Sequence, residues 1–219
     1  MSNIYNSLNN LFKKELWQVA IELNYSKENV LILQNNFYEL EQTYPKVLSN
    51  LRSCIHQRDK RTIEEYAKDL ISSWIYEDII LNYLSKKFNI KLYGTDRNRN
   101  ILQNNKISSD SDFCITKNKK FYNIELVNSY TNYWKKFQRI DLRDNKFENL
   151  RNKQALLICI DIYNKEFYLI DLKNEININY INYHKPWRKP AYQINIQNIS
   201  SHDFTIENLL NKLEQYING

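Results

Sequence analysis

Glycine is almost absent: of 219 residues, only Gly94 and Gly219 are glycine. A loop that cradles phosphate with its backbone needs several glycines at fixed offsets, so P-loop and Rossmann-type nucleotide sites are excluded. Cysteine is scarce and odd in number, with Cys54, Cys114 and Cys159 far apart, which favours a reducing compartment. Histidine is also sparse. His56, His184 and His202 are scattered, no zinc spacing appears, and Cys54 near His56 is too little to make one. No serine or cysteine stands in a recognisable nucleophile setting. Apolar runs stay short: the longest, Ala155 to Ile160, is a strand's length against the roughly 18 residues that span a bilayer. No charged-then-apolar leader opens the chain. Together these absences predict a soluble, cytoplasmic protein.

The residues present suit a packed domain. A 42% apolar and 14% aromatic content is ordinary for a globular protein, and the length fits a single domain spanning residues 1–219. The formal net charge of +6 would draw in a polyanion. Asn, Ile, Lys and Tyr also accumulate wherever a coding sequence is rich in A and T, so composition carries little functional weight.

The hydrophobic period changes once along the chain. Leu8, Leu11, Phe12, Leu16 and Val19 recur at spacings of three and four, as on one face of a helix. The pattern continues through Leu31, Leu33, Phe37, Leu40 and Tyr44 to Pro45, and resumes over 47–55 and 63–88 after a polar break. Residues 1–62 are expected to form a helical region and a possible dimer contact, with 63–219 as the core. Residues 89–106 read as a mobile polar loop with Arg97 and Arg99 exposed. Beyond it, 112–116 and 121–129 predict a hairpin, 133–151 a polar helical connection, and 155–163 with 167–172 a second hairpin whose first strand is central. Residues 192–196 add a further strand, and 205–217 a closing amphipathic helix capped by Thr205 or Asp203. The fold class is α/β (α+β): a mixed sheet flanked by helices, with a helical N-terminal region.

The chemistry centres on two carboxylates. Asp112 opens the first hairpin strand, and Glu125 lies thirteen positions on, between Ile124 and Leu126 in the return strand. Carboxylates on adjacent strands can jointly hold a hard cation such as Mg²⁺, which keeps waters for work on a phosphate. A charged strand residue can also simply face solvent, because strand positions alternate faces.

The aspartate at the start of one strand, Phe121-Tyr122-Asn123-Ile124-Glu125 on the next, and the apolar strand Ala155 to Ile160 together resemble the core of the PD-(D/E)xK nucleases. The resemblance is closest to type II restriction endonucleases of the EcoRV, HincII and SwaI kind. It covers about residues 70–215, including the late stretch Lys189 to Ile196 and Phe204 to Leu209. It implies a restriction-endonuclease-like fold with Asp112 and Glu125 as catalytic metal ligands for Mg²⁺. It also implies that Glu77, on the preceding helix, is a catalytic acid near the metals. The expected activity is that of a homodimer hydrolysing a short palindromic DNA site, alongside a cognate DNA methyltransferase. A repair or defence nuclease of this fold, or a relative that binds DNA without cutting it, are the alternatives.

The family's lysine should stand two positions after the second acid, where this chain has Val127. Lys119, Lys120, Lys135 and Lys136 are near enough in sequence to substitute. A second registration would place Glu125 itself at the lysine position, with Asn123 before it. A rival set, Asp161 with Asp171-Leu172-Lys173, satisfies the literal acid, acid-x-Lys pattern. For DNA contact, residues 183–193 mix basic, aromatic and amide side chains without acids. Arg188, Lys189, Gln193 and Asn195 are the nominees, since basic groups meet phosphates and amides pair with base edges. The loop 97–105 is a second candidate.

Overall fold

A computed structural model describes residues 4–55, 61–94, 97–107, 110–185 and 187–219. His56, the polar break at 57–60 and Pro186 lie outside the described residues. The chain is mixed α/β and divides into two compact units, Met1–Asn82 with Thr95–Ser108, and Tyr83–Gly94 with Ser109–Gly219. The helical unit therefore extends past residue 62. Among the described residues no helix is long and apolar enough to cross a membrane.

The first unit contains α1 (Ile4–Phe12), α2 (Leu16–Glu22), α3 (Lys27–Leu33), α4 (Phe37–Thr43), α5 (Pro45–Cys54) and most of α6 (Ile63–Ser85). Three chain reversals use left-handed residues, Lys13, Asn24 and Asn35, at φ of 52°, 58° and 62°; such a residue just past a helix end satisfies its last carbonyls. Proline begins α5, where its missing N–H costs nothing. A capping box opens α6: the Glu65 amide donates to Thr62 Oγ1 at 3.2 Å and the Thr62 amide to Glu65 Oε2 at 2.9 Å. Leu8, Leu16, Ile32, Leu40, Leu51, Ile71 and Ile75 are wholly buried.

Residues 97–107 are not the mobile segment that their polarity suggests. Asn29 Nδ2 donates to the Arg99 carbonyl at 2.9 Å and Asn50 Nδ2 to the Ile101 carbonyl at 2.7 Å. Arg99 is not exposed either. Its side chain is 13% accessible, with Nε 3.1 Å from both Asp78 oxygens and Nη1 3.1 Å from Glu77 Oε2.

The second unit contains β1 (Asn89–Leu92), β2 (Phe113–Lys117), β3 (Lys120–Ser129), α7 (Tyr133–Phe137), β4 (Arg139–Arg143), α8 (Asp144–Asn152), β5 (Leu156–Asp161), β6 (Glu166–Asp171), β7 (Ile178–His184), β8 (Lys189–Asn195), β9 (His202–Asp203) and α9 (Ile206–Asn218). One mixed sheet has the order β1-β2-β3-β5-β6-β9, and a second runs β4-β8-β7. The strands β1, β2 and β3 form an antiparallel meander, and β5 lies parallel to β3. A parallel neighbour requires a crossover, here built from α7, β4 and α8. Every residue of β5 is buried, as its unbroken apolar run predicts. Thr205 caps α9 by accepting from the Asn208 amide at 3.0 Å.

Three strands depart from the expectation. The connection 133–151 is not one helix, because Ile140 and Leu142 are buried while Arg139, Asp141 and Arg143 take the opposite face, a period of two that makes β4. β1 lies in the stretch that reads as a loop, and β7 begins in one to which the sequence assigns no element. In β7 the less exposed residues, Ile178, Ile181 and His184, fall three apart, because a register shift between Ile181 and His184 breaks the alternation. The face of the mixed sheet bearing Leu157, Cys159, Tyr168 and Ile170 packs with Phe147 and Leu150 of α8 and with Ile140, Leu142 and Ile194 of the second sheet, in one apolar cluster.

Candidate active site

A two-residue turn fixes the hairpin that carries both carboxylates. Asn118 and Lys119 both have positive φ, 51° and 62°, the backbone that matches the twist of a tight antiparallel hairpin. The turn sets Lys117 opposite Lys120 and Phe113 opposite Ile124. Asp112 stands directly before β2, one residue beyond the last pair of this register, beside the stretch of β3 that holds Glu125. Asp112 Oδ2 accepts from the Leu126 amide at 2.8 Å, tying that carboxylate to the backbone of β3. Glu125 is 7% exposed.

The ammonium that meets Glu125 comes from α8. Lys146 Nζ lies 2.9 Å from Glu125 Oε1 and donates to the Asp110 carbonyl at 2.7 Å. Lys153, the residue that caps the end of α8, pairs with the Asp110 carboxylate. Three carboxylates, Asp110, Asp112 and Glu125, are thus gathered with two lysines. The Glu125 charge is felt below it: the Cys159 thiol is pushed far above its ordinary value, first by burial and then by that carboxylate.

Val127 shares the face of Glu125, since strand positions two apart point the same way, and it packs against the apolar cluster under α8. A lysine there would place its stem in that core. None of Lys119, Lys120, Lys135 and Lys136 is the cation on Glu125. Lys120 begins β3 at the far end of the strand, and Lys135 pairs with Glu166 at 3.1 Å. Glu77 belongs to the helical unit, where it holds Arg99.

The rival acids cannot share an ion. In the β5–β6 hairpin Asp161 is opposite Glu166 and Asp171 is opposite Leu156, so the two aspartates sit at opposite ends, five residues or roughly 17 Å apart. Each closes a turn. Asp161 accepts from the Asn164 amide at 3.0 Å and from its Nδ2 at 2.8 Å. Asp171 accepts from the Lys173 amide at 2.9 Å and the Tyr216 hydroxyl at 2.7 Å.

The nominated DNA contacts divide. Lys189, at the head of β8, is exposed, as is Arg188 in the preceding turn. Gln193 is 9% exposed; its Nε2 donates to Asp141 Oδ1 at 3.1 Å and its Oε1 accepts from Asn179 at 3.4 Å. Asn195 Oδ1 accepts from the Gln197 amide at 2.9 Å. The two amides are thus engaged in holding the second sheet and its exit loop.

The donors are hard oxygens, with Asp112 held on the amide of the residue after Glu125, and hard oxygens are what Mg²⁺ takes while keeping several waters. Among the described residues no group of three or more Asp, Glu, His or Cys is arranged as a metal cage, so an ion here would rest on two protein carboxylates and solvent. Neither the known protein-family models nor the curated proteins include a match to this chain.

Proposed function

We propose that this protein is a Mg²⁺-dependent DNA nuclease of the PD-(D/E)xK type, and that it cuts a short palindromic duplex site as a homodimeric restriction endonuclease beside a cognate methyltransferase. The observation that carries the reading is the Lys146 ammonium 2.9 Å from Glu125, beside the Asp112 carboxylate that accepts from the next amide of the strand. It supplies from a helix the cation that Val127 cannot supply from the strand, so a binding-only relative is the weaker reading. The order of elements also supports it: a helix ahead of the β2–β3 hairpin, a helix in the connection after it, and then the apolar strand β5. That is the order the resemblance implies.

In this reading Asp112 and Glu125 would hold Mg²⁺, which when bound polarises the phosphodiester and lowers the pKa of a coordinated water. Lys146, already tethered to Glu125 and to the Asp110 carbonyl, orients the attacking water and faces the negative charge that develops on the phosphoryl oxygens. Water attacks phosphorus and gives a proton to solvent, the P–O bond to the leaving oxygen breaks, and that oxygen takes a proton from solvent. Arg188 and Lys189 meet backbone phosphates. Two copies related by a two-fold axis would address the two strands of a palindrome.

The test is incubation of plasmid or phage DNA with the purified chain, with Mg²⁺ or EDTA, beside Asp112→Asn and Lys146→Met. Discrete fragments from the wild type alone, only with Mg²⁺, are expected. No cleavage with any divalent metal would overturn the proposal.

A further inference from the structure

The tip of the β7–β8 hairpin presents a tryptophan on a braced histidine. No Asp or Glu occurs from residue 176 to 202, whereas Tyr183, Lys185, Trp187, Arg188 and Lys189 cluster at this tip. The register shift in β7 turns His184 inward, where it is 5% exposed, while Tyr183 stays 61% exposed. His184 Nε2 lies 2.9 Å from Asp141 Oδ2. Asp141 also accepts from the Tyr133 hydroxyl at 2.6 Å and Gln193 Nε2 at 3.1 Å, and Arg139 Nε stands 3.4 Å away. The Arg188 amide closes the tip by donating to the His184 carbonyl at 2.6 Å.

Trp187 rests on this network. Its ring centroid is 4.1 Å from that of His184 at an interplanar angle of 39°, yet 39% of the residue remains exposed. A single exposed aromatic is unremarkable on a protein surface. Here the ring beneath it is fixed by a buried carboxylate with several donors, and buried polar networks of this kind are weak evidence of a role in stability alone. What such a network provides is a fixed orientation for the ring above it. The tip also lies towards the candidate site: Ala191 pairs with Arg143, the residue directly before α8, which carries Lys146.

We infer that Trp187 is a stacking platform for a nucleobase of bound DNA, with Lys185, Arg188 and Lys189 holding the flanking phosphates. A flat π-face beside cations is the chemistry that takes a base of any sequence, and a rigid one does so with little ordering cost. The inference deepens the nuclease proposal and rests on it for the choice of DNA among polyanions.

The experiment measures binding of the full chain to a fluorescein-labelled duplex and to one of its single strands in EDTA, across a salt series, with anionic phospholipid vesicles as a parallel arm. Trp187→Leu keeps apolar bulk without a π-face, and Trp187→Phe keeps a smaller one; thermal melts confirm that both fold. Trp187→Leu should weaken DNA binding by on the order of ten-fold, most on the single strand, with the salt slope unchanged. Trp187→Phe should recover much of the loss, and Lys185→Ala with Lys189→Ala should flatten the salt slope. Equal DNA binding by wild type and Trp187→Leu, no DNA binding by the wild type, or a tryptophan effect confined to vesicles would overturn the inference. Cleavage assays separate the two ideas. A wild type that cuts while Trp187→Leu binds normally removes the platform alone, and tryptophan-dependent binding without metal-dependent cleavage removes the nuclease alone.

Discussion

Replacing Lys146 by methionine removes the ammonium and keeps the stem, leaving Glu125 with a buried charge that this cation had met at 2.9 Å. Breaking a fully buried pair costs about 3–5 kcal/mol. The Lys146 side chain is 19% exposed and that of Glu125 9%, so water can partly replace the lost donor. A loss of about 1–3 kcal/mol, the scale of a hydrogen bond to a charged group, is expected. At about 2–4 °C per kcal/mol for a chain of this size, the melting midpoint in EDTA should drop by about 5 °C. Magnesium reverses the order of effects. A cation seated on Asp112 and Glu125 restores the missing positive charge, so adding Mg²⁺ should raise the midpoint more in Lys146→Met than in the wild type. Cleavage should nonetheless fall by about 10²–10³-fold, the scale of losing one aimed donor to a transition state. Lys146→Arg separates the two roles: the charge returns and the melting midpoint recovers, but a planar guanidinium does not reproduce the placement of an ammonium, so the rate stays low. Scanning fluorimetry and timed plasmid cleavage on the three proteins give the readouts. Wild-type cleavage by Lys146→Met would refute the assignment, and an unchanged EDTA midpoint would refute the electrostatic argument beneath it.

Asp112→Asn retains an oxygen to accept from the Leu126 amide, so its melting midpoint should stay near that of the wild type while Mg²⁺-dependent cleavage is lost and DNA binding in EDTA persists. Asp161→Asn and Asp171→Asn should leave cleavage at the wild-type rate and lower stability by about 1–2 kcal/mol, the scale of a weakened turn, as read by urea unfolding; loss of cleavage in both at normal stability would return the site to that hairpin. A thiol reagent on the native protein should titrate Cys54 ahead of Cys114 and Cys159, since Cys54 alone of the three is partly exposed and burial raises the Cys159 thiol; rapid reaction of a second thiol would contradict the packing under Glu125. The His202 imidazole is held below its ordinary value, chiefly by burial and also by Lys212, and lies against the Phe167 ring. Its proton therefore favours the unfolded chain. Stability from this residue should be complete above about pH 6.5 and decline as pH falls from there through the lowered folded value, and His202→Phe should flatten that decline in pH-dependent melts.

The helices, both hairpins of the mixed sheet and the capped α9 were legible because each is local: a run of one period bounded by a turn or cap. The strands that escaped have weak or contrary local signals. β1 is four residues long and mostly exposed, so no alternation marks it. β7 presents Ile178, Ile181 and His184 at intervals of three, since the shift after Ile181 disrupts the period. β4 did carry a period of two in Arg139-Ile140-Asp141-Leu142-Arg143, but five residues between two helices give little weight to alternation. The exposure wrongly expected for Arg99 has a different origin. A polar stretch reads as solvated, and nothing local tells that the guanidinium returns to Asp78 and Glu77, 21 and 22 residues back in the chain.

The carboxylates and their lysine show the same limit at the level of chemistry. Asp112 and Glu125 can be brought together from sequence because the Asn118-Lys119 turn is tight, so counting outward from it places both at the open end of the hairpin. Lys146 cannot be found in that way. It is twenty-one residues beyond Glu125, across α7 and β4, and meets the acid only because β5 must return parallel to β3 and brings α8 with it. One trace was present: Lys146 and Lys153 are seven apart, two helical turns, on either side of the buried Phe147–Leu150 stripe. Two lysines on one helix edge beside a core face are ordinary surface residues until Asp110 and Glu125 are known to lie beneath them. The physical requirement is an ammonium near the carboxylate, and a strand position two residues on is only one way to supply it. Once α8 crosses that face, position 127 is released to packing, and valine fills it.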